Sequence, residues 1–155
     1  MSEGRDAIIR GLTESATRHR FRGVRNTNYY REWPETVCLL NLQKSAWGPQ
    51  FYLNAAVWLT RFGIERRPKE YNCHIIWRVN SLMVSEQSKA FTEALDLDRP
   101  LPDDRRSSLI KEGVDTYGFG LLARCESEKA ALQIASEYGS SIRMDLKARA
   151  LLKAN

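Results

Sequence analysis

The sequence has few cysteines, few histidines and no metal-binding motif. Cys38, Cys73 and Cys125 are too few and too widely spaced for the disulfide framework of a small secreted protein. No Cys-x-x-Cys pair occurs, and only His19 and His74 could add imidazole ligands, so a structural zinc site is not expected. We therefore expect neither a metal nor a cofactor.

Long apolar runs and targeting signals are also missing. No apolar run approaches the ~20 residues that are needed to cross a bilayer. The N-terminal stretch lacks the apolar core of a signal peptide, and Glu3, Asp6 and Glu14 are atypical of a transit peptide. We therefore expect a cytoplasmic protein without a membrane segment.

What is present is the composition of an ordinary globular protein, 43% hydrophobic and 28% charged. The length of 155 residues predicts a single domain over residues 1–155. A net charge of +5 is compatible with an acidic partner or nucleic acid. Because the positive residues are spread along the chain and mixed with 19 acids, a mildly basic, solvated surface is the favoured interpretation.

The most informative stretch, residues 37–59, predicts two β-strands joined by a loop. Residues 37–43 and 51–59 are rich in β-branched and aromatic types, and Trp47-Gly48-Pro49 separates them. Because side chains alternate along a strand, the register decides which residues share a face. The expected pairs are Asn41 with Tyr52, Leu39 with Asn54, and Val37 with Ala56.

This register gives the hairpin one wholly apolar face. A slip by one residue would divide that face, and each large side chain left in water would cost roughly 1.5–3 kcal/mol. The expected apolar residues are Cys38, Leu40, Leu42, Phe51, Leu53, Ala55, Val57 and Leu59.

The second face of the hairpin changes from apolar to polar towards the loop. Far from the loop it holds apolar residues, and we expect a helix or another strand to cover it there. Those residues are Val37, Leu39, Ala56 and Trp58. The polar end is the candidate ligand-binding site, formed by Asn41, Gln43, Tyr52 and Asn54, with Lys44 and Trp47 beside it.

Residues 73–82 predict a further strand next to the hairpin. Alternation assigns Cys73, Ile75, Trp77 and Val79 to the buried side. His74 and Arg78 would then lie on the same side as the polar end of the hairpin and complete the candidate site.

The remaining patterns predict helices around this sheet. Apolar residues recur at helical spacing over residues 5–19, and residues 28–33 suggest an edge strand. Residues 60–72 suggest an exposed loop. Further helices are expected over 85–97, 103–117, 128–138 and 142–152, the last with Leu146, Ala150 and Leu151 inward.

These patterns together predict an α+β fold. We expect a mostly antiparallel sheet of about four strands, with an N-terminal helix and C-terminal helices packed on it. The sheet-forming part would span about residues 1–82 and the helical part about residues 85–155.

Three of the motifs together resemble a known family. They are Asn-Leu-Gln-Lys-Ser at 41–45, Phe-Tyr-Leu-Asn at 51–54, and Cys73-His74 with Arg78. They are similar to the pattern of the bacterial domain of unknown function 4304 family, over roughly residues 8–125. The resemblance implies a helix, a strand, a hairpin and a further strand. The family has no established activity, so the resemblance implies no mechanism.

The polar face suits binding better than catalysis. A nucleophile and base would require Ser45 or Cys73 beside His74, but neighbouring strand residues point to opposite faces. The amides offer donors and acceptors, the aromatic rings offer flat surfaces, and Lys44 and Arg78 offer positive charge. We therefore expect a non-catalytic binding or protein-interaction domain, with a protein partner or an acidic or planar polar ligand.

Two alternatives stay open. The chain could be a nucleic-acid-associated protein or a small hydrolase that uses the basic surface and His74, although nucleic acid is not the favoured partner. The polar side chains could also have a structural role only, with Asn41, Asn54 and His74 satisfying one another.

Overall fold

The computed structural model describes residues 3–154, in which strands fill most of the first half and helices most of the second. The strands are β1 (Arg22–Val24), β2 (Asn28–Glu32), β3 (Thr36–Lys44), β4 (Phe51–Leu59), β5 (Ile75–Arg78) and β6 (Arg143–Met144). The helices are α1 (Glu3–Arg18), α2 (Ser85–Ala94), α3 (Asp103–Tyr117), α4 (Phe119–Leu122), α5 (Glu128–Glu137) and α6 (Leu146–Ala154).

The strands form one antiparallel sheet in which neighbours in sequence are neighbours in space, in the order β1-β2-β3-β4-β5-β6. The α+β class, the antiparallel sheet and the helices at both ends are confirmed. The predicted number of about four strands was wrong, since residues 3–154 form six. The additional strands β1 and β6 have three and two residues, too few for a period-two pattern to show in the sequence. Because β1 pairs with β2, β2 is not an edge strand.

The C-terminal region differs from its prediction because residues 143–144 join the sheet. β6 pairs with β5, so the predicted helical part also contributes a strand. Asp145 immediately precedes α6 and caps it, since its Oδ1 accepts a hydrogen bond from the Ala148 N–H at 2.9 Å. The position of this first turn decides which residues of α6 face the core. Ala148 is buried, while Leu146 is 83% exposed and Ala150 is exposed. The predicted inward positions of Leu146 and Ala150 were wrong, and Leu151 is half-buried.

The pairing of β3 with β4 differs by two residues from the predicted register. Asn41 lies opposite Asn54, and Leu39 lies opposite Ala56. The predicted pairing would have placed Pro49 in the ladder opposite Lys44, where proline has no N–H to donate. Instead residues 45–50 form the loop, closed by a 2.8 Å hydrogen bond from the Ser45 N–H to the Gln50 carbonyl. A shift of two leaves the faces unchanged, so the predicted partners were wrong and the predicted faces were right.

The apolar face of the hairpin packs against the helices. All eight of its predicted members are buried in one hydrophobic cluster with residues of every helix, including Leu12 of α1, Val114 of α3 and Phe119 of α4. Trp77 of β5 belongs to this cluster, and its Nε1 donates to the Tyr117 carbonyl at 2.9 Å. Among residues 3–154, no helix combines the length and the apolarity needed to cross a membrane.

The segment between β4 and β5, residues 60–74, covers the apolar end of the second face. It contains two short 3-10 turns, Thr60–Phe62 and Glu70–Asn72, and not the predicted helix or strand. Its Cys73 packs with Leu39 and Ala56 on the second face, so the predicted place of Cys73 on the side of Ile75 and Trp77 was wrong. The prediction continued the side-chain alternation of β5 back to residue 73, but the turn just before Cys73 interrupts that alternation.

The same segment is attached to the sheet and is not a free loop. The Tyr30 hydroxyl donates to the Pro68 carbonyl at 3.2 Å, and the Trp58 Nε1 donates to the Gly63 carbonyl at 3.0 Å. Pro68 is buried, although most of its neighbours in the segment are exposed.

The close approach of α1 to α3 provides a test of this packing. A Cβ added at Gly11 would lie 2.6 Å from the Ser107 carbonyl oxygen, a backbone atom that cannot move aside on its own. Overpacking of this kind costs about 1–3 kcal/mol, whereas alanine in a helix gains only about 1 kcal/mol over glycine. We therefore expect Gly11→Ala to lower the free energy of unfolding, measured by urea denaturation.

Gly48→Ala is the matched control, because a Cβ added there meets no atom within 4 Å. Its unfolding free energy should stay close to that of the wild type. A Gly11→Ala protein that is more stable than the wild type would contradict the close helix contact.

Candidate functional site

Four adjacent strands each place one polar residue in a single row across the second face of the sheet. Asn28 of β2 pairs with Asn41 of β3, Asn41 pairs with Asn54 of β4, and Asn54 pairs with Arg78 of β5. We call these four residues the amide row. Gln43 joins the row from the neighbouring position on the same face of β3.

Hydrogen bonds run along the amide row in one direction. Arg78 Nε donates to Asn54 Oδ1 at 3.3 Å. Asn54 Nδ2 donates to Asn41 Oδ1 at 3.2 Å and to Gln43 Oε1 at 2.9 Å. Asn41 Nδ2 in turn donates to Asn28 Oδ1 at 2.9 Å. The guanidinium group can only donate, so it fixes the orientation of each amide that follows it.

This direction leaves donors at the ends of the network. The amide nitrogens of Asn28 and Gln43 donate to no group within residues 3–154, and Gln43 is exposed. Asn54, at the centre, is 5% exposed and uses both its oxygen and its nitrogen internally. The accessible edge of the row therefore offers N–H groups and suits a partner that supplies acceptors.

Arg78 gives the accessible edge of the amide row a positive charge. The Arg78 guanidinium lies 4.3 Å from the centroid of the Tyr52 ring, a stacked arrangement that restricts its position. Glu70 lies nearby in the covering segment. Burial raises the pKa of Glu70, and the positive charges of Arg143 and Arg78 partly offset that rise.

The structure brings together five of the eight predicted site residues: Asn41, Gln43, Tyr52, Asn54 and Arg78. Lys44 shares its strand parity with Leu42, so its side chain leaves from the opposite face. Trp47 is 97% exposed in the loop that closes the hairpin. Asn28 was missed, although its alternation with the buried Tyr29 could have placed it on this face.

His74 lies on the second face but away from the amide row. The pairing of the strands sets it beside Trp58, four residues along β4 from Asn54, which corresponds to about 13 Å. His74 is 2% exposed, and its Nδ1 accepts a hydrogen bond from the Leu59 N–H at 2.9 Å. Its ring also contacts those of Trp58 and Phe62. These contacts give His74 a structural role.

Ser45 and Cys73, the residues that a catalytic interpretation would require as nucleophiles, are not placed to react with His74. Ser45 lies at the other end of the hairpin, about 25 Å away along the sheet. Burial raises the pKa of the Cys73 thiol far above its ordinary value, and its Sγ contacts the Lys69 carbonyl. The part of the chain that the structure describes also holds no group of three or more His, Cys, Asp or Glu residues able to bind a metal ion.

A second polar cluster joins α1 to α3. The Asp115 carboxylate accepts hydrogen bonds from the Ser15 hydroxyl and from Lys111 Nζ, and His19 Nε2 lies 3.3 Å from it. Burial acts to raise the pKa of Asp115, but the hydrogen bonds from Ser15 and Lys111 and the charge of Lys111 together lower it. Ser15 donates directly to the carboxylate, so the histidine does not stand between hydroxyl and acid as a catalytic base would.

A family model supports the resemblance carried by the motifs. The model described as Domain of unknown function (DUF4304) matches residues 17–124, a range that includes the whole amide row. No curated protein and no solved structure matches the chain.

The buried His74 predicts a dependence of stability on pH. Burial lowers the pKa of His74 below its ordinary value of 6.5, outweighing the raising effect of Asp145. The unfolded chain therefore binds the proton more readily than the folded chain does. The free energy of unfolding should keep its full value above about pH 6.5 and fall as the pH drops below it. Urea denaturation between about pH 5 and about pH 8 measures this fall.

His74→Gln should be less stable at neutral pH and should lose this part of the pH dependence. His19→Gln is the control, since it keeps His74 and should retain the dependence. A wild-type stability that stays flat over this pH range would contradict the assignment.

Proposed function

The chain belongs to the DUF4304 family, and we propose that it is a non-catalytic binding domain whose amide row recognises an acidic, extended segment of a protein partner. The observation that carries this proposal is the direction of the hydrogen bonds, which leaves donors and a positive charge at the accessible edge. Aspartate and glutamate side chains supply the acceptors that such an edge lacks.

The dimensions of the row favour a segment over a compact ligand. Asn28 and Arg78 are separated by three strand spacings, or about 14 Å, across the sheet. Several carboxylates along an extended chain could contact donors at this separation. A single small carboxylate would reach only one end of the row.

The hairpin loop offers additional contact area for such a partner. It lies at the polar end of the sheet, next to Gln43 and Tyr52, and presents Trp47 to solvent. Exposed tryptophans and arginines are over-represented among residues that dominate protein–protein binding energies. Trp47 in the hairpin loop and Arg78 at the β5 end of the amide row are therefore proposed as the principal contacts.

Nucleic-acid association remains the alternative function. The net charge of +5 supports it, and its affinity for the chain would fall steeply with salt. A hydrolase that uses His74 is the less favourable alternative, because His74 lies far from Ser45 and its ring is buried and hydrogen-bonded.

Arg78→Gln tests the proposal. The substitution removes one positive charge and the donor that orients the row, and hydrogen bonds to charged groups contribute about 1.5–3 kcal/mol. We therefore expect about a tenfold or greater loss of affinity for a fluorescent peptide with glutamate at alternate positions, measured by anisotropy. Arg105→Gln is the matched control: Arg105 is exposed on α3, and its substitution makes the same change in net charge.

Two comparisons decide the outcome. A peptide with glutamine in place of glutamate should bind much more weakly than the acidic peptide. Equal binding of both peptides, or equal losses in Arg78→Gln and Arg105→Gln, would exclude recognition of carboxylates by the amide row. Stronger binding to a single-stranded oligonucleotide, lost with salt, would instead favour the nucleic-acid alternative.

A further inference from the structure

Five arginines line one cavity of about 550 Å³ at the β1 side of the second face. They are Arg20, Arg22, Arg31, Arg66 and Arg67. The remaining lining residues are Tyr30 and Glu32, so the lining holds one acidic residue and five arginines. This arginine cavity is separate from the amide row, and its chemistry is independent of the proposed function.

Two distant parts of the chain form the cavity. Arg20 lies in the turn that follows α1, and Arg22 lies on β1 opposite Tyr30. Arg66 and Arg67 come from the segment between β4 and β5. Arg20 adopts a left-handed backbone conformation with φ 64° at the end of α1, where the Phe21 N–H donates to the Ala16 carbonyl at 2.8 Å. The fold therefore brings these arginines together against charge repulsion.

Two of the arginines that line the cavity stack on aromatic rings, although Arg31 pairs with Cys38 and its side chain leaves from the opposite face of β2. Arg31 lies 4.3 Å from the centroid of the Trp33 ring and donates to the His19 carbonyl at 2.9 Å. Arg67 lies 5.1 Å from the centroid of the Tyr30 ring. Stacking of this kind restricts a guanidinium group while leaving N–H groups free to donate.

The positive charge of the cavity has little compensation from the protein. The Arg66 Nε lies 3.8 Å from Glu32 Oε1, at the outer limit of an ion pair. Within residues 3–154, the side chains of Arg20 and Arg22 form no ion pair and no hydrogen bond. Like charges repel one another, and a bound polyanion would offset that repulsion.

We propose that the arginine cavity binds a small ligand carrying several linked phosphates. Guanidinium groups match phosphate oxygens in pairs of parallel hydrogen bonds, and the arginines of the lining outnumber its single carboxylate, Glu32. The volume lies within the range of small-ligand pockets. The arginines surround a concavity and do not form the extended stripe that is typical of nucleic-acid binding.

Sodium tripolyphosphate is the probe, titrated into the 155-residue chain by isothermal calorimetry at fixed ionic strength. We expect it to bind, and to bind about tenfold or more tightly than orthophosphate, because linked phosphates contact several guanidinium groups at once. Equal affinity for the two anions would overturn the proposal, as would an absence of binding.

The double variant Arg22→Gln/Arg67→Gln should weaken tripolyphosphate binding by about tenfold or more. Arg105→Gln/Arg124→Gln removes the same charge from exposed positions on the helical side and should change the affinity by less than about twofold. Equal losses in both double variants would show a general charge effect and contradict the site.

A single substitution tests the site in case the double variant does not fold. The Arg66 side chain is 82% exposed, so Arg66→Gln should retain the wild-type circular dichroism spectrum and thermal midpoint. It should still weaken tripolyphosphate binding by about threefold. An unchanged affinity in this folded variant would overturn the proposal. So would a single-stranded RNA that binds through these arginines and is not displaced by tripolyphosphate.

Discussion

The pairing of β3 with β4 is the constraint on which the rest of the structure depends. It divides their side chains into a face that is buried under the helices and a face that carries the amide row. A shift by two residues preserves this division, but a shift by one would exchange the faces. The burial of large apolar side chains such as Leu40 and Leu53, at roughly 1.5–3 kcal/mol each, keeps the register within that limit.

The second face has two parts, an apolar end that a connecting segment covers and a polar end that carries the amide row. Residues 60–74 pack over its apolar end, where Leu39, Ala56 and Cys73 form a small cluster of their own. The same segment carries Arg66 and Arg67 to the arginine cavity and Glu70 to the vicinity of Arg78. One connection between strands therefore closes the apolar end and contributes charged residues to the edges of both proposed binding surfaces.

Arg78 links the stability of the sheet to the chemistry of its surface. A buried amide such as that of Asn54 is costly without partners, and the guanidinium group supplies one of them. Because an arginine can only donate, the satisfied interior of the row leaves donors at its ends. The internal hydrogen bonds that support the sheet thus also determine which chemistry the surface presents.

The sequence by itself determined the two faces of the hairpin, most of the longer helices and most of the amide row, because alternation and helical spacing are local properties of the chain. It did not determine the partners across β3 and β4, the strands β1 and β6, or the side on which Cys73 packs, since a proline, very short strands and a turn override the local pattern. Only the tertiary structure decided the separation of His74 from Asn54 and the meeting of Arg22 with Arg67. The distance between such residues depends on how the chain returns across the sheet, and no periodicity in the sequence encodes that return.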